Sequence, residues 1–331
     1  MKPDEAFAYA AGVLDGDGFL TVVRDDSYSP KFPQYRIKIG VKQLWPSGAL
    51  RHIAVSLGGK VSGREQRRGY RPIVRWEIYN EIAGAAIRRL LPYLLVKRKQ
   101  ATLLLRAYEL IAAGRRQLRQ RLDVIEEIRL KVIATNRGIS PSPEDAQKAR
   151  SLSGSAYGVR FSNERRRVLL SYLAGIMDSD GYFKIERRKV KGMISPHYRI
   201  AIGAAQVVPS PAIELLARTF RGNVRLRQQK RNTQRPLATW RIYDRMAVPA
   251  IEALLPRLIN KAPEARLLLR VRELKARGKL GLTEWVHANR WRRRVKMRKQ
   301  CYTPEQVREL DRLYLTLKAL HSGLPPYDMP G

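Results

Sequence analysis

Tyr9-Ala-Ala-Gly-Val-Leu-Asp-Gly-Asp-Gly-Phe19 is written a second time, 163 residues further on, as Tyr172-Leu-Ala-Gly-Ile-Met-Asp-Ser-Asp-Gly-Tyr182. The echo continues outward from there. Tyr35-Arg-Ile-Lys-Ile-Gly returns as Tyr198-Arg-Ile-Ala-Ile-Gly at the same offset, with Gln43 and Gln206 following. Trp76-Glu-Ile-Tyr79 and Leu90-Leu-Pro92 return as Trp240-Arg-Ile-Tyr243 and Leu254-Leu-Pro256. These last matches lie 164 residues apart, so one residue has been inserted between them. Chance does not hold register over such a length; the chain is a duplication.

The copies place two domains at 1–137 and 161–331. Between them, 138–160 reads as a linker on its Ser140-Pro-Ser-Pro143 and Ser151-Leu-Ser-Gly-Ser155 stretches. Within the first copy, apolar periodicity predicts a helix over 4–14, half-buried strands over 19–24 and 35–41, and a helix over 47–57. A hairpin follows, with arms 60–67 and 71–78 and a turn at Arg68-Gly69, then helices over 81–91 and 99–114. The order is αββαββα with extra helices. Strands joined by hairpins are antiparallel, which makes the fold class α+β.

Lys and Arg number 65 against 29 acidic residues, a formal charge of +36. A surface that positive suits a large polyanion, DNA or RNA, although a ribosomal or membrane-surface protein would carry it too. Hydrophobic residues at 44% exclude a disordered tail. Cys301 is the only cysteine, so no internal disulfide can form, and none of His52, His197, His287 and His321 has a zinc-finger spacing to cysteines. No apolar run suggests a membrane span and no signal peptide opens the chain. The expectation is a soluble intracellular protein of cytoplasm, nucleoid or organelle matrix.

Chemistry enters with the repeated block. Ala8, Ala11 and Gly12, with Ala174 and Gly175 in the second copy, would let two helices approach almost backbone to backbone. Acids follow each helix at once, so a pseudo-twofold pairing of the copies would set Asp17 beside Asp180. Asp15 and Asp178 read more simply as helix-end residues bonding local backbone amides. That bland reading fits Asp17 and Asp180 poorly. A helix C-terminus is the negative end of its dipole and disfavours a carboxylate there, and two adjacent carboxylates repel further. A divalent cation reverses the sign, since Mg2+ takes carboxylate oxygen, water and phosphate as ligands.

The block resembles the LAGLIDADG motif of the homing endonucleases, twice, with both acids and the final glycine each time. The likeness covers most of 5–115 and 165–280 and is to the compact, single-chain, chloroplast-intron-type branch. It implies two αββαββα repeats in pseudo-twofold arrangement, with antiparallel sheets forming a DNA-binding saddle. It also implies a monomer that cuts both strands of a long, partly palindromic duplex and leaves short 3′ overhangs. The cofactor would be Mg2+ or Mn2+, with Ca2+ supporting binding without efficient cleavage. By the same likeness Asp17 and Asp180 bind the catalytic metals, assisted by the carbonyls of Gly16 and Ser179. Gln43 and Gln206 fall where the family orders active-site water, and Lys97 and Lys261 fall on its active-site lysine. Ala10 replaces the motif's first leucine and Pro263 stands where the first copy has Lys99; neither removes a ligand. On the residues alone, the lysines could be solvated helix starts and the glutamines plain DNA contacts. An intron maturase or a non-cleaving DNA-binding regulator is the rival function on this fold, and the survival of both acids argues for cleavage.

Strand alternation assigns the DNA face. With Tyr35, Ile37 and Ile39 inward, Gln34, Arg36 and Lys38 point out, as do His197 and Arg199 in the second copy. The first strands add Thr21, and Lys184, Glu186 and Arg188. The hairpins add Arg64, Gln66, Arg68 and Arg75, and in the second copy Arg225, Arg227, Gln229 and Arg231. Arg, Lys and Gln are the side chains that read guanine and adenine edges in the major groove, though any one could contact phosphate or only water. The basic run from Arg290 to Lys299 suits phosphate tracking, or else a solvated helix face.

Overall fold

A computed structural model describes residues 1–27, 33–63, 72–113, 121–137, 163–189, 195–228, 235–277, 280–287 and 294–322. The first copy begins with helix α1 (Pro3–Asp17), which has proline in its first turn and Asp4 and Glu5 at the positive end of its dipole. Strands β1 (Gly18–Asp25) and β2 (Gln34–Leu44) follow, then α2 (Gly48–Leu57), β3 (Lys60–Gly63), β4 (Ile73–Tyr79), α3 (Asn80–Leu90), α4 (Arg98–Ala112) and α5 (Leu122–Arg137). The second copy repeats the order with α6 (Asn163–Ser179), β5 (Gly181–Arg188), β6 (His197–Val207), α7 (Pro211–Phe220), β7 (Asn223–Arg227), β8 (Leu237–Tyr243), α8 (Asp244–Leu254) and α9 (Ala262–Ala276). It then adds an antiparallel hairpin, β9 (Leu280–His287) with β10 (Arg294–Cys301), and a final helix α10 (Pro304–Ser322). Each four-stranded sheet is antiparallel and ordered alike, β1-β2-β4-β3 and β5-β6-β8-β7. Two compact units separate: Met1–Gly181 with Gly203–Arg241 and Ala253–Asn260, and Tyr182–Ile202 with Ile242–Glu252 and Lys261–Gly331.

Burial follows the predicted alternation. Leu20, Val22, Tyr35, Ile37, Ile39 and Val74 are buried on one face, while Gln34 and Arg36 are exposed on the other. Trp76 is wholly buried and donates its indole N–H to Gly58 O at 2.8 Å, so the polar handle of a large apolar side chain is satisfied. Ser47 caps α2 by accepting from Leu50 N at 3.2 Å, and Ser210 caps α7 by accepting from Ile213 N at the same distance.

Three expectations shift. Helix α1 runs on to Asp17, so the acids form its last turn instead of following it. Ser47 is a cap and not a first-turn residue. The described part of the basic run, 294–299, lies in strand β10 and not on a helix face, as the alternation Val295, Met297 in Arg294-Val-Lys-Met-Arg-Lys299 favours. The Arg68-Gly69 turn and the 138–160 linker lie outside the described residues.

Candidate active site

Helices α1 and α6 lie backbone against backbone. A Cβ on Gly12 would stand 2.1 Å from Tyr172 O, and one on Gly175 would stand 2.2 Å from Tyr9 O, so only glycine fits either position. Around that contact the bonds are reciprocal. Tyr9 donates its hydroxyl to Asp178 Oδ2 at 2.6 Å, and Tyr172 donates to Asp15 Oδ2 at 2.8 Å. Burial, then the charge of the facing aspartate, pushes both phenols well above their ordinary range.

Asp15 and Asp178 do bond backbone amides, but not local ones. Asp15 accepts from Leu95 N at 2.8 Å, Val96 N at 3.0 Å and Lys97 N at 2.8 Å, about 80 residues away. Asp178 accepts from Ile259 N at 2.7 Å and Asn260 N at 3.2 Å. Successive amides turned inward ahead of a helix make an anion-binding cup, which outbids any single turn amide. These buried aspartates staple each seam helix to the loop that follows α3 or α8.

Asp17 and Asp180 stand at the end of the seam. The place where a Gly16 Cβ would sit is 3.0 Å from Asp180 Oδ2 and 2.1 Å from Ser179 Oγ, so the second copy's acid lies against the residue before Asp17. Gln43 Nε2 donates to Asp17 Oδ2 at 2.9 Å, and Gln206 Nε2 donates to Asp180 Oδ2 at 2.7 Å. Both glutamines are nearly buried and are oriented by the capping serines, whose hydroxyls donate to Gln43 Oε1 and Gln206 Oε1 at 2.6 Å each.

Helix α1 carries no basic residue in its last turn. Lys97 supplies the missing charge from outside: its Nζ donates to the carbonyls of Leu14 and Asp15 at 2.7 Å and of Gly16 at 3.1 Å. It thereby caps the negative end of the dipole. Burial holds the ammonium's pKa below its ordinary value, against the charges of Asp15, Asp180 and Asp17, which favour the protonated form without offsetting it. The lysine is a helix cap beside two carboxylates and not a solvated surface group. Lys261 occupies the matching N-cap position before α9, with φ −100 and ψ 12 against −99 and 14 for Lys97. The Ser179 hydroxyl turns back to donate to Gly175 O at 3.0 Å.

The sequence reading assigned neither Asn260 nor the two serines to the site. Asn260 donates to Gln43 Oε1 at 2.9 Å and accepts from Ala49 N at 3.0 Å. The serines could have been found, because Ser47 recurs as Ser210 at the 163 offset. Asn260 has no echo; its counterpart is Val96.

On the outer strand faces, Gln34, Arg36, Lys184, Arg188, Arg225 and Arg227 are exposed, and Thr21, Lys38, Arg75, Glu186, His197 and Arg199 are half-buried. Several are tied to carboxylates. Lys38 and Arg75 meet Glu77, absent from the sequence-based set, at 3.0 and 3.2 Å, and Arg36 meets Asp25 at 3.2 Å. Glu186 receives Arg199 at 2.6 Å and Arg188 at 3.0 Å, and the Arg199 guanidinium stacks 4.0 Å from the Tyr243 ring centre. Arg64, Gln66, Arg68, Gln229 and Arg231 lie outside the described residues.

The donor set at the seam is hard oxygen, two carboxylates with backbone carbonyls beside them, which fits Mg2+, Mn2+ or Ca2+ and not a soft metal. Among the described residues no group of three or more His, Cys, Asp and Glu converges on one point. A hard-cation site of this kind would draw its remaining ligands from carbonyls, water and phosphate. Among the described residues no helix is long and apolar enough to cross a membrane.

An all-antiparallel pair of sheets hung on two glycine-packed helices that end in twin acids is the LAGLIDADG homing endonuclease fold, and this chain has it. I-SmaMI, solved bound to its uncleaved DNA target in the presence of calcium ions, superposes with a TM-score of 0.65 at 15% identity, covering 96% of this chain and 99% of that one. I-CpaMI bound to uncleaved DNA gives 0.61 at 12% identity over 96% and 98% of the two chains. I-AabMI bound to uncleaved DNA gives 0.59 at 18% over 84% and 92%. No protein-family model matches the chain, and no curated protein matches it by sequence.

Proposed function

We propose that the chain is a site-specific endonuclease that hydrolyses both strands of a long, partly palindromic DNA duplex. It would act as a monomer whose repeats, 1–137 and 161–331, each serve one half of the target. One observation carries the reading: Asp17 and Asp180, at the negative ends of two seam helices, are each held by a buried glutamine beside the Lys97 ammonium. Carboxylates collected where the helix dipole disfavours them form an arrangement that a divalent cation stabilises. The +36 charge suits the polyanion, and neighbours of the same fold are themselves solved on DNA, I-SmaMI on both uncleaved and cleaved duplex.

Asp17 and Asp180, with the carbonyls of Gly16 and Ser179, would hold Mg2+ or Mn2+. When bound, such an ion supplies Lewis acidity and makes water nucleophilic at neutral pH. Gln43 and Gln206 keep the carboxylates aimed and order water beside them. Lys97, and Lys261 in the other half, place positive charge near the phosphate as negative charge grows there. In each strand a water oxygen bonds to phosphorus and the P–O3′ bond breaks. The water's proton ends on the leaving oxygen, giving a 3′ hydroxyl and a 5′ phosphate, and staggered cuts leave short 3′ overhangs. Outward Arg, Lys and Gln side chains read bases or grip phosphates, and Ca2+ supports binding without efficient cutting.

The test uses a randomised duplex library. With Mg2+ the wild-type chain is expected to cut a subset that can be recovered and sequenced. Asp17→Asn or Asp180→Asn should abolish double-strand cutting of that duplex while a gel-shift in Ca2+ shows affinity largely kept. Cleavage by both variants at the wild-type rate removes the site assignment.

A further inference from the structure

The nuclease reading treats the two halves of the site as equals, and the hydrogen bonds do not. Gln43 and Gln206 match in their bonds to aspartate and serine. Gln43 Oε1 takes one hydrogen more, from Asn260 Nδ2 at 2.9 Å. Asn260 is itself tied at both ends: its Oδ1 accepts from Ala49 N at 3.0 Å, and its Nδ2 also lies 3.3 Å from Ser47 Oγ. At the corresponding place in the first copy stands Val96, whose side chain donates nothing.

A glutamine amide can face a neighbour with either its oxygen or its NH2, and only its partners decide which. A serine hydroxyl decides weakly, because it rotates and can donate or accept. An asparagine NH2 can only donate. Against Asn260, Gln43 must present oxygen, which turns its own NH2 toward Asp17. Among the described residues Gln206 Oε1 is held by the Ser210 hydroxyl alone.

We infer that Asn260 is a positioning residue that locks Gln43 in its Asp17-facing orientation, so that the half of the site around Asp17 is better ordered than the half around Asp180. The inference rests on the nuclease reading and sharpens it. The two strands are cut at unequal rates, and the nicked intermediate has one polarity.

The experiment takes the full chain and a duplex recovered from the library selection, with a different dye on each strand, in Mg2+. Asn260→Asp keeps the size of the side chain and the oxygen facing Ala49 N but removes the donor facing Gln43. Cleavage of one strand should slow about 10-fold, the usual effect of losing a partner that orients a ligand, while the other strand keeps its rate. Gln43→Ala should slow that same strand, and the double variant should be no slower than the worse single one. Ser210→Ala should slow its strand more than Ser47→Ala slows the other, because Asn260 still holds Gln43 when Ser47 is lost; this comparison decides the matter even if the Asn260 variant does not fold. Equal slowing of both strands, no slowing, or single variants acting on opposite strands overturns the inference while leaving the nuclease reading intact. A wild-type chain that leaves every library duplex whole fails as a nuclease, and the positioning role falls with it.

Discussion

At the seam, each motif does for the other what the other does for it. Tyr9 reaches Asp178 and Tyr172 reaches Asp15; Gly12 admits one backbone and Gly175 the other. On the outer strand faces the copies part company. The first ties Lys38 and Arg75 to Glu77 on its fourth strand, whereas the second ties Arg199 and Arg188 to Glu186 on its first. The difference separates two demands on one fold. The chemistry proposed for the seam calls on the same acids and glutamines for both strands of a duplex, so the helix contact that presents them stays symmetric, Asn260 apart. The halves of the partly palindromic target proposed for the chain would differ in sequence, which would leave the faces that meet them free to diverge.

Symmetry at the seam is the part easiest to break. Gly12→Val places side-chain atoms where a Cβ alone would be 2.1 Å from Tyr172 O, and Gly175→Val does the same to Tyr9 O at 2.2 Å. Neither obstacle is a side chain that can swing aside. Each substitution should cost more than about 3 kcal/mol and leave little folded protein, read from soluble yield and urea unfolding. If one glycine tolerates valine and the other does not, the helices are not equivalent and the comparison fails. Smaller and sharper is the tyrosine pair. Tyr9→Phe and Tyr172→Phe each remove one donor from a buried carboxylate, for about 1–3 kcal/mol apiece. A symmetric seam requires the two losses to agree within the error of the urea midpoints.

How much of this could be read in advance follows the same division. Much that could be read in advance lies where the copies echo: the seam glycines, Asp17 and Asp180, and the glutamines recur at one offset, and alternation along β2 predicted which side chains are buried. The partners of Asp15 and Asp178 were not legible, because a carboxylate's choice between a neighbouring amide and one about 80 residues off is decided by how α3 and α4 pack. Asn260 escaped for the opposite reason, as a polar residue in one copy matched by Val96 in the other. A third device was hidden by an insertion. Tyr35 donates to Glu126 on α5 and Tyr198 to Asp311 on α10, at 2.9 and 2.7 Å, and burial followed by these bonds pushes both phenols up to about 12. The bonded residues stand 91 and 113 positions apart because, among the described residues, β9 and β10 intervene in the second copy alone, so no constant offset reveals that the two acids correspond.

The last place where the copies can be set against each other is a residue that shares a conformation but not an identity. After α2, Gly58 turns the chain with φ 83 and ψ −178; after α7, Arg221 does so with φ 61 and ψ −158. That region is almost closed to side chains and costs a non-glycine residue about 1–3 kcal/mol. The surroundings impose it all the same. Gly58 O accepts the Trp76 indole at 2.8 Å and Arg221 O accepts the Trp240 indole at 2.6 Å, and both rings are wholly buried. To relax, Arg221 would have to strip a buried N–H of its partner, which costs about as much as the strain. Arg221→Gly should therefore stabilise the protein, by about 1 kcal/mol rather than the full strain, because glycine also widens the unfolded ensemble. The expected sign is a higher urea midpoint with an unchanged slope. A lower midpoint would mean that the Arg221 side chain makes contacts worth more than the strain, and that this turn belongs with the diverged outer faces instead of the conserved frame.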